Sequence, residues 1–233
     1  MMKTIGLLGG MSWESSAEYY RVMNETVKHR LGGLHSAKII MFSVDFAGLR
    51  AHMLKGDWDA IAEELSGAAC TLEKAGADIM VIGTNTMHMV APQVADAVDV
   101  PLVHIADATA AACKEQGATK VGLLGTIFTM EKPFYRDRLA ENGIESIVPS
   151  RADRELVDKV IFDELCKGEF TDAARKEYVR IIEDMAAQGA QAVILGCTEI
   201  GLLVTPKDTD VPVLDTCRIH AEKCVELAFS EEL

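Results

Sequence analysis

The sequence predicts an α/β protein built from two similar units, each with a mainly parallel four-stranded sheet, related by a pseudo-two-fold axis with the active site in the cleft between them. Three observations carry this prediction. The stretch Ala75-Gly76-Ala77-Asp78-Ile79-Met80-Val81-Ile82-Gly83-Thr84 returns in altered form as Gln188-Gly189-Ala190-Gln191-Ala192-Val193-Ile194-Leu195-Gly196-Cys197. Gly6-Leu7-Leu8-Gly9 matches Gly122-Leu123-Leu124-Gly125, and Val100-Pro101-Leu102-Val103 matches Val211-Pro212-Val213-Leu214. The three matches are collinear at nearly constant spacing, which is the mark of a duplicated unit of about half the chain. Each apolar run is short and bounded by Gly, as buried strands of a parallel sheet are. The expected boundaries are 1–106 with 215–233 for the first unit and 107–214 for the second. No low-complexity linker separates them, so the crossing near 105–110 is expected to be packed.

The elements follow in order. Strand 4–8 ends at Gly9-Gly10-Met11-Ser12, and a helix from about 15 to 30 buries Tyr19, Val22, Met23 and Val27, with Ser12 or Ser15 as its cap. Residues 37–43 form a second strand, followed by a loop carrying Asp45, Arg50 and Met53. A helix then runs from Gly56-Asp57 to about Lys74 and leads to strand 78–83. A helix near 88–97 precedes strand 100–105. The second half repeats the plan with helix 107–116, strand 120–125, a loop 125–129, a helix at about 131–141, a short strand 145–148, and a loop rich in Arg and Asp. Helices 153–166 and 171–188, strand 192–195, strand 211–214 and a closing helix from about 217 to 229 complete it.

Composition narrows the function. The 233 residues carry a net charge of −13 and are 49% hydrophobic. That charge argues against a nucleic-acid surface and against anionic membranes, both of which need basic patches. No run approaches the ~18–20 apolar residues of a transmembrane helix, and the start of the chain lacks a signal-peptide layout, so a cytoplasmic protein is expected. Six cysteines without Cys-x-x-Cys spacing give neither a disulfide framework nor a metal centre, and no metal ligand set is expected. The glycine pair at 9–10 lacks the Lys-Ser/Thr of a phosphate loop and the third Gly of a dinucleotide fingerprint. It reads as a tight turn or as a backbone approach to a small anion.

Gly196-Cys197-Thr198-Glu199 stands where open α/β sheets place ligands, just past the carboxyl end of a strand. A thiol there is a candidate nucleophile or base, and a helix N-terminus following it would favour thiolate. Cys70, Cys113 and Cys224, on helical stretches, read as small hydrophobes. If the halves pack as a pseudo-dimer, Thr84 and Cys197 face one substrate carbon from opposite sides. Removing a proton on one face and returning it on the other inverts a stereocentre.

Leu-Leu-Gly-Gly-Met (7–11), Gly-Thr-Asn-Thr-Met-His (83–88) and Gly-Cys-Thr-Glu (196–199) resemble the aspartate/glutamate racemase family over essentially the whole chain. That resemblance implies a pyridoxal-phosphate-independent racemase that needs no cofactor, acts on a small amino acid and forms a homodimer. The family carries a Cys in each half; here Thr84 replaces the first. Together with Leu-Gly-Gly-Leu-His at 31–35, this resembles the broad-specificity or L-Asp/Glu-specific branch. The implied catalytic pair is Thr84 and Cys197. Implied substrate contacts are Met11, Asn85, Thr86, Thr126, Thr198 and Glu199, with Arg50 for the distal carboxylate. Glu199 orients an ammonium group or caps a helix. Cys166 falls about where the family has a cationic partner. His88 and His104 read as packing residues or as supports behind the site. Two other functions remain open: a single-cysteine decarboxylase or isomerase of the same superfamily, and a non-catalytic amino-acid-binding protein.

Overall fold

The computed structural model describes residues 2–231. It divides into two compact units, one formed by the chain up to His104 together with the segment from His220 onward, the other by Ile105–Ile219.

In the first unit β1 (Ile5–Gly9) leads to α1 (Trp13–Leu31), β2 (Ile39–Ser43), α2 (Phe46–Lys55), α3 (Trp58–Lys74) and β3 (Ile79–Ile82). A 3-10 turn (Thr86–Val90), α4 (Ala91–Asp96) and β4 (Leu102–Val103) follow. The sheet order is β2-β1-β3-β4 and every pairing is parallel. In the second unit α5 (Ile105–Glu115) precedes β5 (Lys120–Gly125), α6 (Ile127–Glu131), α7 (Pro133–Glu141) and β6 (Glu145–Ile147). Then come α8 (Arg151–Asp163), a 3-10 turn (Leu165–Lys167), α9 (Asp172–Ala187), β7 (Ala192–Gly196), α10 (Ile200–Leu203) and β8 (Val213–Asp215). The order β6-β5-β7-β8, again parallel throughout, repeats the first sheet strand for strand. The last helix, α11 (Thr216–Ala228), begins in the second unit and ends in the first.

The repeated lead-ins earn their likeness. Gly76 and Gly189 both adopt positive φ, 99° and 92°, so each ends a helix and turns the chain into the next strand at no Cβ cost. The strands after them are apolar without alternation because helices cover both faces. In the second unit Val121, Leu123, Ala192 and Ile194 point into a core with α5 and α7. Leu124, Val193 and Leu195 point into the opposite core with α8 and α9, where Tyr178, Ile181 and Met185 are fully buried.

Several expectations need correction. Residues 46–55 are helix α2, not loop: Asp45 caps it by accepting the Ala47 N–H, and Gly56 ends it in the left-handed conformation. Only Leu49 and Met53 of that helix are buried, too narrow a stripe to register as amphipathic. The stretch after Gly125, expected as a loop to Thr129, carries helix α6, and the helix expected from about 131 is α7, which starts at Pro133. Lys132, forced into extended backbone by the following Pro133, separates α6 from α7. The Arg- and Asp-rich stretch expected as loop is the first turn of α8, capped by Ser150. At 88–97 a 3-10 turn comes first, with α4 only from Ala91.

Candidate functional site

Both sheets have a topological switch point. The chain leaves β1 for β2 on one side and returns to β3 on the other; β5, β6 and β7 do the same. Ligands of open α/β sheets collect in the crevice beyond the strand ends at such points. Every residue expected at the site follows one of these strands. Met11 follows β1, Arg50 lies on the helix after β2, and Thr84, Asn85 and Thr86 follow β3. Thr126 follows β5, and Cys197, Thr198 and Glu199 follow β7. Four of them thus come directly after the strands of the first switch point and four after those of the second, while Arg50 stands apart on α2.

At the second switch point Gly196 is required by contact: a Cβ there would stand 2.6 Å from the Leu124 carbonyl oxygen. The chain can therefore bring Cys197 close against the end of β5. Cys197 is buried but keeps 8% exposure, while Glu199 keeps 1%. The Cys197 thiol donates to Glu199 Oε2 at 2.9 Å, and the Thr198 hydroxyl donates to the same oxygen at 2.9 Å. The Cys166 thiol lies 3.8 Å from Glu199 Oε1. A buried carboxylate is thus held by two thiols and a hydroxyl.

This arrangement reverses the expected electrostatics of Cys197. Burial, and then the Glu199 carboxylate, push its thiol well above the ordinary value, and the Glu199 backbone N–H opposes them only weakly. The thiolate-favouring helix end expected after Cys197 is α10, only four residues long, too short for its dipole to outweigh a carboxylate in contact. Glu199 stands at the capping position of α10, yet its side chain makes no capping hydrogen bond, because it is turned to Cys197 instead. Thr126 is buried and caps α6, accepting the Thr129 N–H at 3.3 Å.

At the first switch point Ser12 caps α1 and the Gly10 N–H donates to Ser16 Oγ at 2.7 Å. The glycine pair therefore closes on its own helix, as a tight turn. Thr84, Asn85 and Thr86 are all buried, Asn85 to 1%. Ser15 Oγ donates to the Gly83 carbonyl at 3.3 Å, and His88 Nδ1 lies 2.8 Å from the Thr84 carbonyl oxygen. His88 packs edge-on against His104 and His220, with ring centres 4.5 and 5.9 Å away. His220 Nδ1 meets the Tyr19 hydroxyl at 2.8 Å and its Nε2 meets the Val103 carbonyl at 2.9 Å. The sequence singles out neither His220 nor the hydroxyl of Tyr19, whose ring reads as part of an apolar stripe. Nor does it foretell the Cys166 contact, because residues distant in the chain carry no shared local pattern.

Burial holds His88 well below the ordinary histidine value and takes His220 down to about 4. A histidine depressed in the folded state contributes stability that is present above its unfolded value and is lost as pH falls through the folded one. His220 alone then accounts for about 3 kcal/mol between pH ~6.5 and ~4, and His88 adds in the same direction. The paired carboxylates Asp57, Asp153 and Asp208, held below the ordinary carboxylate value, lose their contribution only at lower pH. Denaturant midpoints are therefore expected to fall between about pH 7 and pH 4, with uptake of one to two protons per unfolding event; a flat profile over that range would contradict the assignment.

This fold has counterparts among known proteins. Residues 8–224 match the family model described as Asp/Glu/hydantoin racemase. A crystal structure of a Yersinia pestis protein, provisionally assigned as an Asp/Glu racemase, is 52% identical, with a TM-score of 0.90 over 98% of this chain and 100% of that one. An aspartate racemase homologue from Pyrococcus horikoshii is 35% identical, with a TM-score of 0.85 over 98% and 100%. The broad specificity amino-acid racemase RacX of Bacillus subtilis is 25% identical over 171 residues, 72% of this chain and 73% of the relative. With the family model spanning nearly the whole sequence and both sheets in the arrangement of solved relatives, the chain belongs to the Asp/Glu/hydantoin racemase family.

Proposed function

We propose that the protein is an amino-acid racemase acting on aspartate, glutamate or a wider range, without pyridoxal phosphate, with Cys197 as the base on one face of the substrate α-carbon and Thr84 as the proton source on the other. The observation that carries this reading is the thiol–carboxylate pair of Cys197 and Glu199 at the carboxyl end of β7. The thiol alone is a poor base precursor, since it is held protonated. Glu199 resolves this. The thiol proton passes along the hydrogen bond to Glu199, giving thiolate beside carboxylic acid with no change in the net charge of the pair. The thiolate takes the substrate α-proton and becomes thiol again. The Thr84 hydroxyl then delivers a proton to the opposite face and takes one from water in the same step, and Glu199 returns its own proton to solvent, so that thiol, carboxylate and hydroxyl are all restored.

Asn85, Thr86 and Thr198 would supply donors for the α-carboxylate, and Arg50 the fork for a distal one. Cys166, in place of the family's cation, leaves the second half without a fixed positive charge for that distal group, which favours a wider substrate range. The family membership and the amino-acid racemases among the relatives support the class of reaction.

A threonine hydroxyl is not ionised near neutral pH, so the two directions differ. Incubation with L- and D-aspartate and L- and D-glutamate separately in deuterated water is expected to give faster α-proton exchange from one enantiomer, with inversion. Equal exchange from both would count against the roles given to Thr84 and Cys197. The replacement at 84 leaves one thiol, which also suits a single-cysteine decarboxylase; carbon dioxide release from a malonate without amino-acid exchange would favour that reading. Saturable amino-acid binding without exchange would favour a binding protein.

A further inference from the structure

The buried histidines behind Thr84 take no part in the proton transfers above. Their hydrogen bonds nevertheless fix their tautomers. A backbone carbonyl oxygen can only accept, so the ring nitrogen facing it must carry hydrogen. His88 Nδ1 faces the Thr84 carbonyl at 2.8 Å and is therefore N–H. His220 Nε2 faces the Val103 carbonyl at 2.9 Å and is also N–H, which leaves its Nδ1 to accept the Tyr19 hydroxyl at 2.8 Å. Tyr19 and His220 are fully buried and His88 keeps 1% exposure, so water does not compete for these bonds. The cluster joins four parts of the first unit: α1 through Tyr19, the β3 end through Thr84, the β4 end through Val103, and the returning α11 through His220.

We infer that His88 is a positioning residue for Thr84, donating from Nδ1 to its carbonyl with its ring packed edge-on against His104 and His220, so that the Thr84 hydroxyl is presented to substrate in one orientation. The preceding carbonyl, that of Gly83, is held independently by Ser15 Oγ. Two consecutive peptide units at the β3 end are thus pinned by side chains rather than by sheet pairing, which for β3 ends at Ile82 on the β1 side. A neutral buried imidazole is well matched to holding that carbonyl. Burial opposes a charge on that ring. A proton donor displaced by about 1 Å can lose on the order of 10²-fold in rate.

The role in catalysis rests on the racemase reading, and the test separates the two. His88→Phe keeps the ring volume and removes the donor; His88→Asn places an amide N–H near the Nδ1 position. With an accepted amino acid in deuterated water, His88→Phe is expected to lower inversion at least about tenfold relative to exchange without inversion, which needs only the Cys197 face, and His88→Asn to recover most of that ratio. Equal loss of exchange and inversion in both variants would mean a merely structural role and would overturn the inference while leaving the racemase reading intact. Nitrogen-15 spectra of the unsubstituted protein at neutral pH supply a readout independent of activity and of variant folding. They are expected to show His88 as the Nδ1–H tautomer and His220 as Nε2–H; His88 as Nε2–H or as imidazolium would overturn the inference even in an active racemase. Absence of any exchange by the unsubstituted protein would fell the racemase reading and, with it, the positioning role assigned to His88.

Discussion

Cys197→Ala is expected to abolish α-proton exchange from both enantiomers, with a loss of at least about 10³-fold in kcat/KM. A positioned acid–base group contributes roughly 10²–10⁴-fold, and here the same group is the base in one direction and the acid in the other. The side chain removed is one small sulfur atom that retains a little exposure, so the stability cost is about 1 kcal/mol and the protein remains folded. Cys197→Ser is a stricter version. Its hydroxyl can still donate to Glu199 and keeps the shape of the loop, but it will not give up a proton near neutral pH. Both variants are to be followed by exchange into deuterated water with a thermal melt as control. If either keeps more than about a tenth of the activity, the base lies elsewhere.

Glu199→Gln is expected to move two measurements in opposite directions. Removing the carboxylate takes away the charge that raises the Cys197 titration, and the amide N–H can donate to a thiolate, so thiolate forms at lower pH. On the naive view that thiolate population limits the rate, activity would rise. If instead the thiol proton must pass to residue 199, activity falls by about 10²-fold, because the amide cannot take that proton. Thiolate absorbance against pH and exchange at fixed pH, measured on the same preparation, decide between them. A variant with easier ionisation and greater activity would reduce Glu199 to an electrostatic burden, and the proton route would have to bypass it. Burial of the carboxylate argues for the loss of activity: a group kept at 1% exposure beside two thiols and a hydroxyl is placed against the preference of carboxylates for water.

The sheet plan is readable from the chain because it depends on local, repeated features. Gly76 and Gly189 end helices in the same way, and the runs after them are apolar on both faces, so strand identity and the internal repeat can be seen without coordinates. Residues that follow strand ends, Thr84 and Cys197 above all, come with them. Helix α2 is not legible, since two buried residues in ten leave almost no stripe and Gly48 lowers its helical preference. The electrostatic state of Cys197 escapes the sequence for a different reason. A general rule about helix ends gives way where a contact at 2.9 Å decides, and the rotamer that brings Glu199 back onto Cys197 is not written in the four residues Gly196 to Glu199. His220 stays hidden because a lone histidine on an apolar helix face shows nothing of a tyrosine some two hundred positions earlier.

The way the units are spelled out has a consequence for truncation. The second unit is one unbroken stretch, Ile105–Ile219, whereas the first also draws on the segment beginning at His220. A chain cut just before that residue would keep the whole stretch of the Cys197 half. Its first sheet would lack the imidazole that meets Tyr19 and Val103, and the Ala228 carbonyl that receives the Lys3 N–H. Loss of the final segment is therefore felt by the half that opens the sequence, not by the one beside the cut.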